Sequence, residues 1–147
     1  MKPRFRLAQM LVLNRLVRAR FAKIMEKILF IEDEPALQKT LGDVLNKEGY
    51  KVVSALDGEL GLRMAKTEKP DLILLDLILP KITGFDLLKK FKADPETKKI
   101  PVVVLTNLGQ MADIEKVLKL GPAAYLIKNN YNLAEVVGKI KKTLKER

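Results

Sequence analysis

From Lys27 onward, short apolar runs alternate with amphipathic stretches. Lys27–Ile31 (KILFI) and Lys51–Ala55 (KVVSA) read as the first two strands. Residues 71–75 (DLILL), 101–105 (PVVVL) and 123–127 (AAYLI) read as the third, fourth and fifth. The third run is unbroken in its apolar character, as expected for a strand buried on both faces. The stretches between have helical spacing. Pro35 suits a first turn, where its missing N–H is unpaired anyway. Leu37, Leu41, Val44 and Leu45 follow on one face, and Gly49 marks a stop. Asp57-Gly58 opens a second helix through about Lys66. Residues 85–92 form a third, ended by the turn Asp94-Pro95. A fourth carries Met111, Ile114, Val117 and Leu118 on one side and ends at Gly121-Pro122. The last buries Leu133, Val136, Val137, Ile140 and Leu144 as its stripe. Phe85, Phe91 and the methionines are expected in the core.

Alternating strand–helix units predict an α/β fold, (βα)5, with a doubly wound parallel sheet of five strands covered on both faces. The strand order expected for five such units is 2-1-3-4-5. Ligands then sit beyond the carboxyl ends of the strands, near the switch between strands 1 and 3. Strand 1 ends in Glu32-Asp33-Glu34, strand 3 in Asp76, strand 4 in Thr106 and strand 5 in Lys128. These groups are predicted to meet in one crevice.

The chain has 147 residues, enough for one domain with a single core. It holds neither cysteine nor histidine, so disulfides, thiolate or imidazole metal sites and His-dependent triads are excluded. A metal must be bound by oxygen, which suits Mg²⁺, Ca²⁺ or Mn²⁺. No apolar run is long enough for a membrane span, which takes about 18 residues. The net charge of +10 is unevenly placed. Residues 1–24 carry seven basic side chains (Lys2, Arg4, Arg6, Arg15, Arg18, Arg20, Lys23) and no acid, leaving the remainder at +3.

Several carboxylates in one pocket repel each other unless a cation intervenes. Asp33 and Asp76 are the expected direct Mg²⁺ ligands, with Glu32 acting through water and the Ile78 backbone carbonyl adding an oxygen. A carboxylate is also a nucleophile toward phosphorus, and Lys128 and the Thr106 hydroxyl can steady the transferring oxygens. Blander roles exist for each residue alone. The acids of 32–34 suit a helix N-terminus, Thr106 suits a cap, Lys128 a solvated surface and Tyr125 the core. Asp76 has no comparable bland role, because it interrupts the apolar stretch 72–79.

The segments ILFIEDEP (28–35), PDLILLDLILPKITGFDLL (70–88), PVVVLTN (101–107) and GPAAYLIK (121–128), in this order, resemble the receiver domains of two-component response regulators. The resemblance covers about residues 26–147. It implies Glu32 and Asp33 as an acidic metal pair, Asp76 as phosphoacceptor, Thr106 and Lys128 as phosphoryl-sensing groups, and Tyr125 as the switch aromatic. It implies Mg²⁺ as cofactor, and as partners a sensor histidine kinase or phosphotransfer protein and a downstream output protein or a second copy. A signalling phosphoacceptor rather than an enzyme is expected, in the cytoplasm, acting as a stand-alone receiver with no DNA binding of its own. A receiver-like binding module that is not phosphorylated is the alternative. A haloacid-dehalogenase-like phosphatase would need a second Asp where Ile78 stands. Asn129 follows Lys128 where the family usually has proline, and a cis bond there would cost ~2.5–4 kcal/mol against under ~1 for X–Pro. The apolar Ile78 and Leu108 are expected to hinder attack of water on an acyl phosphate.

The domain is expected to run from residue 25 to 147. Residues 1–24 are expected to form a basic extension, disordered or helical, from translation begun upstream of Met25 or, more sharply, as a helix for anionic lipid or nucleic acid.

Overall fold

The computed structural model describes residues 3–130 and 132–147; Met1 and Lys2, the start of the basic extension, and Tyr131 lie outside the described residues. Five parallel strands form one sheet: β1 (Lys27–Ile31), β2 (Lys51–Ala55), β3 (Leu72–Leu75), β4 (Val102–Thr106) and β5 (Ala124–Ile127). Their order is β2-β1-β3-β4-β5. The helices are α1 (Pro3–Ile24), α2 (Pro35–Lys47), α3 (Gly58–Thr67), α4 (Gly84–Ala93), α5 (Met111–Leu118) and α6 (Leu133–Glu146). Lys128–Asn130 forms a single 3-10 turn after β5.

Alternation along the strands divides the interior into two cores. One face of the sheet sends Ile28, Phe30, Leu72, Leu74 and Val103 against α2 and α6. The other sends Leu29, Ile31, Ile73, Leu75, Val102 and Val104 against α3, α4 and α5. β3 is buried along its whole length, because helices cover both its faces. Local signals fix the helix starts. The Asp57 carboxylate accepts from the Leu60 N–H and caps α3, the Thr83 hydroxyl accepts from Asp86 N–H at α4, and Asn132 Oδ1 accepts from Glu135 N–H at α6.

α5 departs from expectation. Of Met111, Ile114, Val117 and Leu118, only Val117 is fully buried, and Met111 and Leu118 are exposed. The helix is short, and of the four only Val117 reaches the second core. The core placement of the methionines also fails for Met10, Met25 and Met111, which are exposed, whereas Met64 packs against the second core. No helix among the described residues is long and apolar enough to cross a membrane.

Candidate functional site

Sheet register builds the site. Ile31 of β1 pairs with Leu75 of β3, so the residues that follow, Glu32 and Asp76, leave the sheet side by side. β4 and β5 pair through Thr106 and Ile127, which brings Lys128 to the same edge. Three carboxylates, from Glu32, Asp33 and Asp76, place oxygens within 4.8 Å of one another. Glu32 and Asp76 are buried, while Asp33 is exposed at the mouth.

Lys128 closes the cluster. Its Nζ donates to Glu32 Oε1 at 2.9 Å and Oε2 at 3.0 Å, and to Asp76 Oδ2 at 2.9 Å. Every peptide bond among the described residues is trans, so Lys128 reaches both acids with a trans bond to Asn129. The other Asp76 oxygen accepts from the Ile78 N–H at 3.2 Å, which folds the start of the β3–α4 loop back over the carboxylate. Gly84 permits that fold. A Cβ there would run into the carbonyl oxygen of Asp76 and the Cα of Leu77.

Burial pushes the Glu32 carboxyl up to about 7, and the adjoining Asp76 carboxylate adds to the shift, against the lowering effect of Lys128. For Lys128, burial works against the charge, but its bonds to Glu32 and Asp76 prevail and its pKa lies above the ordinary value. Ionised together, these three acids and one ammonium carry a net charge of minus two. A hard divalent cation would neutralise that charge, and three carboxylates in reach of one point fit Mg²⁺.

Thr106 is fully buried and its hydroxyl has no hydrogen-bond partner among the described residues. It does not cap a helix, since α5 begins after Gln110. Tyr125 lies on the same face of the sheet, packed against the second core, and its hydroxyl donates to the Leu108 carbonyl in the β4–α5 loop. Glu34 takes the bland role, as the exposed residue before α2.

Gln38 was not singled out by the sequence. Its buried amide donates to the carbonyls of Phe30 at 2.9 Å, Glu32 at 3.1 Å and Ala55 at 3.2 Å, tying the ends of β1 and β2 together beneath the acids. A signal existed: Gln38, Leu41 and Leu45 share one face of α2, so a polar residue sat in the buried stripe.

Residues 28–141 match the response regulator receiver domain family. The chain is 34% identical over 119 residues to sporulation initiation phosphotransferase F of Bacillus subtilis, covering 81% of this chain and 94% of that protein. It is 37% identical over 121 residues to the DNA-binding dual master transcriptional regulator RpaA of Synechocystis sp., covering 82% of this chain but only 50% of that protein. The chain thus spans about half the length of that relative. Among solved structures, the receiver domain of sensor histidine kinase PA1611 from Pseudomonas aeruginosa is 28% identical with a TM-score of 0.75, covering 82% of this chain and 98% of that one. That structure has a magnesium ion coordinated in its active site cleft.

Proposed function

The chain belongs to the response regulator receiver domain family, the phosphoacceptors of two-component phosphorelays, which bind Mg²⁺ at an acidic pocket, and from that membership we propose that Asp76 is its phosphoacceptor. The observation that carries the reading is the convergence of Glu32, Asp33 and Asp76 on one point beside Lys128.

An Asp76 oxygen attacks the phosphorus of a phosphohistidine presented by a kinase or phosphotransfer protein. The O–P bond forms as the N–P bond breaks, and the electron pair leaves with the imidazole nitrogen. The 147 residues hold no histidine, in keeping with a donor that acts in trans. Glu32, Asp33, Asp76 and the Ile78 carbonyl would hold Mg²⁺, which when bound offsets negative charge on the phosphoryl oxygens. Lys128 donates to one of those oxygens and the Thr106 hydroxyl to another. Movement of Thr106 toward the phosphoryl group frees space on the face it shares with Tyr125, whose ring follows.

Phosphorylation adds up to about two negative charges at the sheet edge. The surface of β4, β5, α5 and α6 carries the change to a separate output protein or a second copy.

Acylphosphate formation from acetyl phosphate and Mg²⁺, compared between wild type and Asp76→Asn, tests the assignment. Labelling of the wild type and none of the variant is expected. An unlabelled wild type overturns it and leaves a protein-binding module as the function.

A further inference from the structure

α1 has chemistry that the phosphoacceptor site does not use. Every residue from Arg6 to Arg18 is exposed. Seven of them are large and apolar (Leu7, Met10, Leu11, Val12, Leu13, Leu16 and Val17), with 42% to 62% of each accessible. Ala8, Gln9, Val12, Leu13 and Leu16 line a shallow apolar surface along the helix. An isolated helix in water gains nothing from such exposure.

Polar and apolar residues are sorted along the helix axis more than around it. Residues 7–14 (LAQMLVLN) carry no charge. Lys2, Arg4 and Arg6 precede them, Arg15, Arg18, Arg20 and Lys23 follow, and no acid occurs in residues 1–24. The uncharged block is about 12 Å long at 1.5 Å per residue, against about 30 Å for a hydrocarbon core. It is too short to span a bilayer and long enough to lie in its interface. Arginine stems can run along apolar surface while their guanidinium groups reach phosphate.

We propose that α1 docks the receiver domain on an anionic lipid bilayer, with block 7–14 at the acyl boundary and the flanking basic residues on lipid phosphates. Charge complementarity selects the occupant. A second α1 would bring only like charges, because residues 1–24 hold no acid to pair with them. A nucleic acid would match the cations but not the apolar side chains between them.

The full chain is sedimented with vesicles of phosphatidylcholine mixed with phosphatidylglycerol, with vesicles of phosphatidylcholine alone, and separately titrated with duplex DNA. Binding to the anionic vesicles is expected to exceed binding to neutral ones by about tenfold or more, and to fall in high salt. The triple variant Leu11→Ser, Leu13→Ser, Leu16→Ser and the double variant Arg15→Gln, Arg18→Gln should each lose most of it. These positions are exposed, so the thermal transition of the sheet domain should stay in place. Equal partition into both vesicles overturns the proposal. So does a triple variant that binds vesicles as wild type does, or DNA binding tighter than vesicle binding. A dimer in sedimentation equilibrium that the triple variant abolishes, without vesicle binding, assigns α1 to self-association instead.

Discussion

Lys128 Nζ lies 2.9 Å from Oδ2 of Asp76, a side chain 52 residues earlier, and the same ammonium holds Glu32. Lys128 thus neutralises two buried acids from the far side of the site. Lys128→Ala should destabilise the metal-free protein by about 3 kcal/mol at pH 8, because it leaves the buried Glu32 and Asp76 side chains without their ammonium partner. The loss should shrink at pH 5, where Glu32 takes up a proton. Urea unfolding at the two pH values measures this, and equal losses at both would contradict the pairing.

Glu32 carries the pH response of the resting protein. Its pKa is about 7 in the folded protein, against an ordinary value of 4.5. Between these values the folded state binds more protons than the unfolded one, so stability falls as pH rises from about 4.5 to about 7 and then levels. No histidine titrates in that window. Mg²⁺ needs the ionised carboxylate, so it should stabilise the protein more at pH 8 than at pH 5.5. Thermal denaturation across pH, with and without Mg²⁺, checks both slopes. Glu32→Gln should flatten the metal-free curve.

Two glycines separate close approach from mere conformational freedom. Gly84 lies against the backbone of Asp76 and Leu77, and its N–H donates to the Leu77 carbonyl at 2.9 Å. Gly84→Ala should cost about 3 kcal/mol, because the clash is with backbone that cannot rotate away. Gly42 lies inside α2 with nothing near an added Cβ. Gly42→Ala should stabilise by about 0.8 kcal/mol through helix propensity. Equilibrium unfolding of both variants tests the contrast.

The fold was legible because strand and helix periods alternate cleanly. Lys27–Ile31 and Lys51–Ala55 begin and end where the apolar runs do, and the other strands lie within a residue of their runs. The acids, Thr106 and Lys128 were legible because each interrupts or ends an apolar run that register then aligns. Contacts made across the sheet were not. The α2 stripe marks Gln38 as a buried polar residue, but nothing local names the carbonyls of Phe30, Glu32 and Ala55 to which it donates. Met111 and Leu118 lie on the apolar side of α5 with Val117 yet are exposed, a difference that periodicity does not encode.

Ile78 is bonded to Asp76 through its N–H, two residues along the chain, and its side chain is exposed. An apolar side chain there hinders the approach and orientation of water at an acyl phosphate. The phosphorylated protein should therefore outlast a few seconds without a phosphatase, and Ile78→Asn should lose its phosphoryl group several-fold faster. Loss of label after removal of the phosphodonor gives both rates. A wild-type lifetime of seconds would contradict the shielding.

Thr106 sets stability against signalling. Its buried hydroxyl has no partner among the described residues, and an unsatisfied buried hydroxyl costs about 1–3 kcal/mol. Thr106→Val keeps the shape and removes the cost, so the unphosphorylated variant should be more stable than wild type by about 1 kcal/mol. The same change removes the donor that is proposed to follow the phosphoryl group, so Tyr125 should no longer respond. Urea unfolding reads the first effect. Tyrosine fluorescence or NMR shifts of Tyr125, recorded before and after acetyl phosphate with Mg²⁺, read the second. A stabilised variant whose Tyr125 still responds would place the coupling elsewhere, whereas a destabilised one would mean that the hydroxyl already has a partner in the resting state.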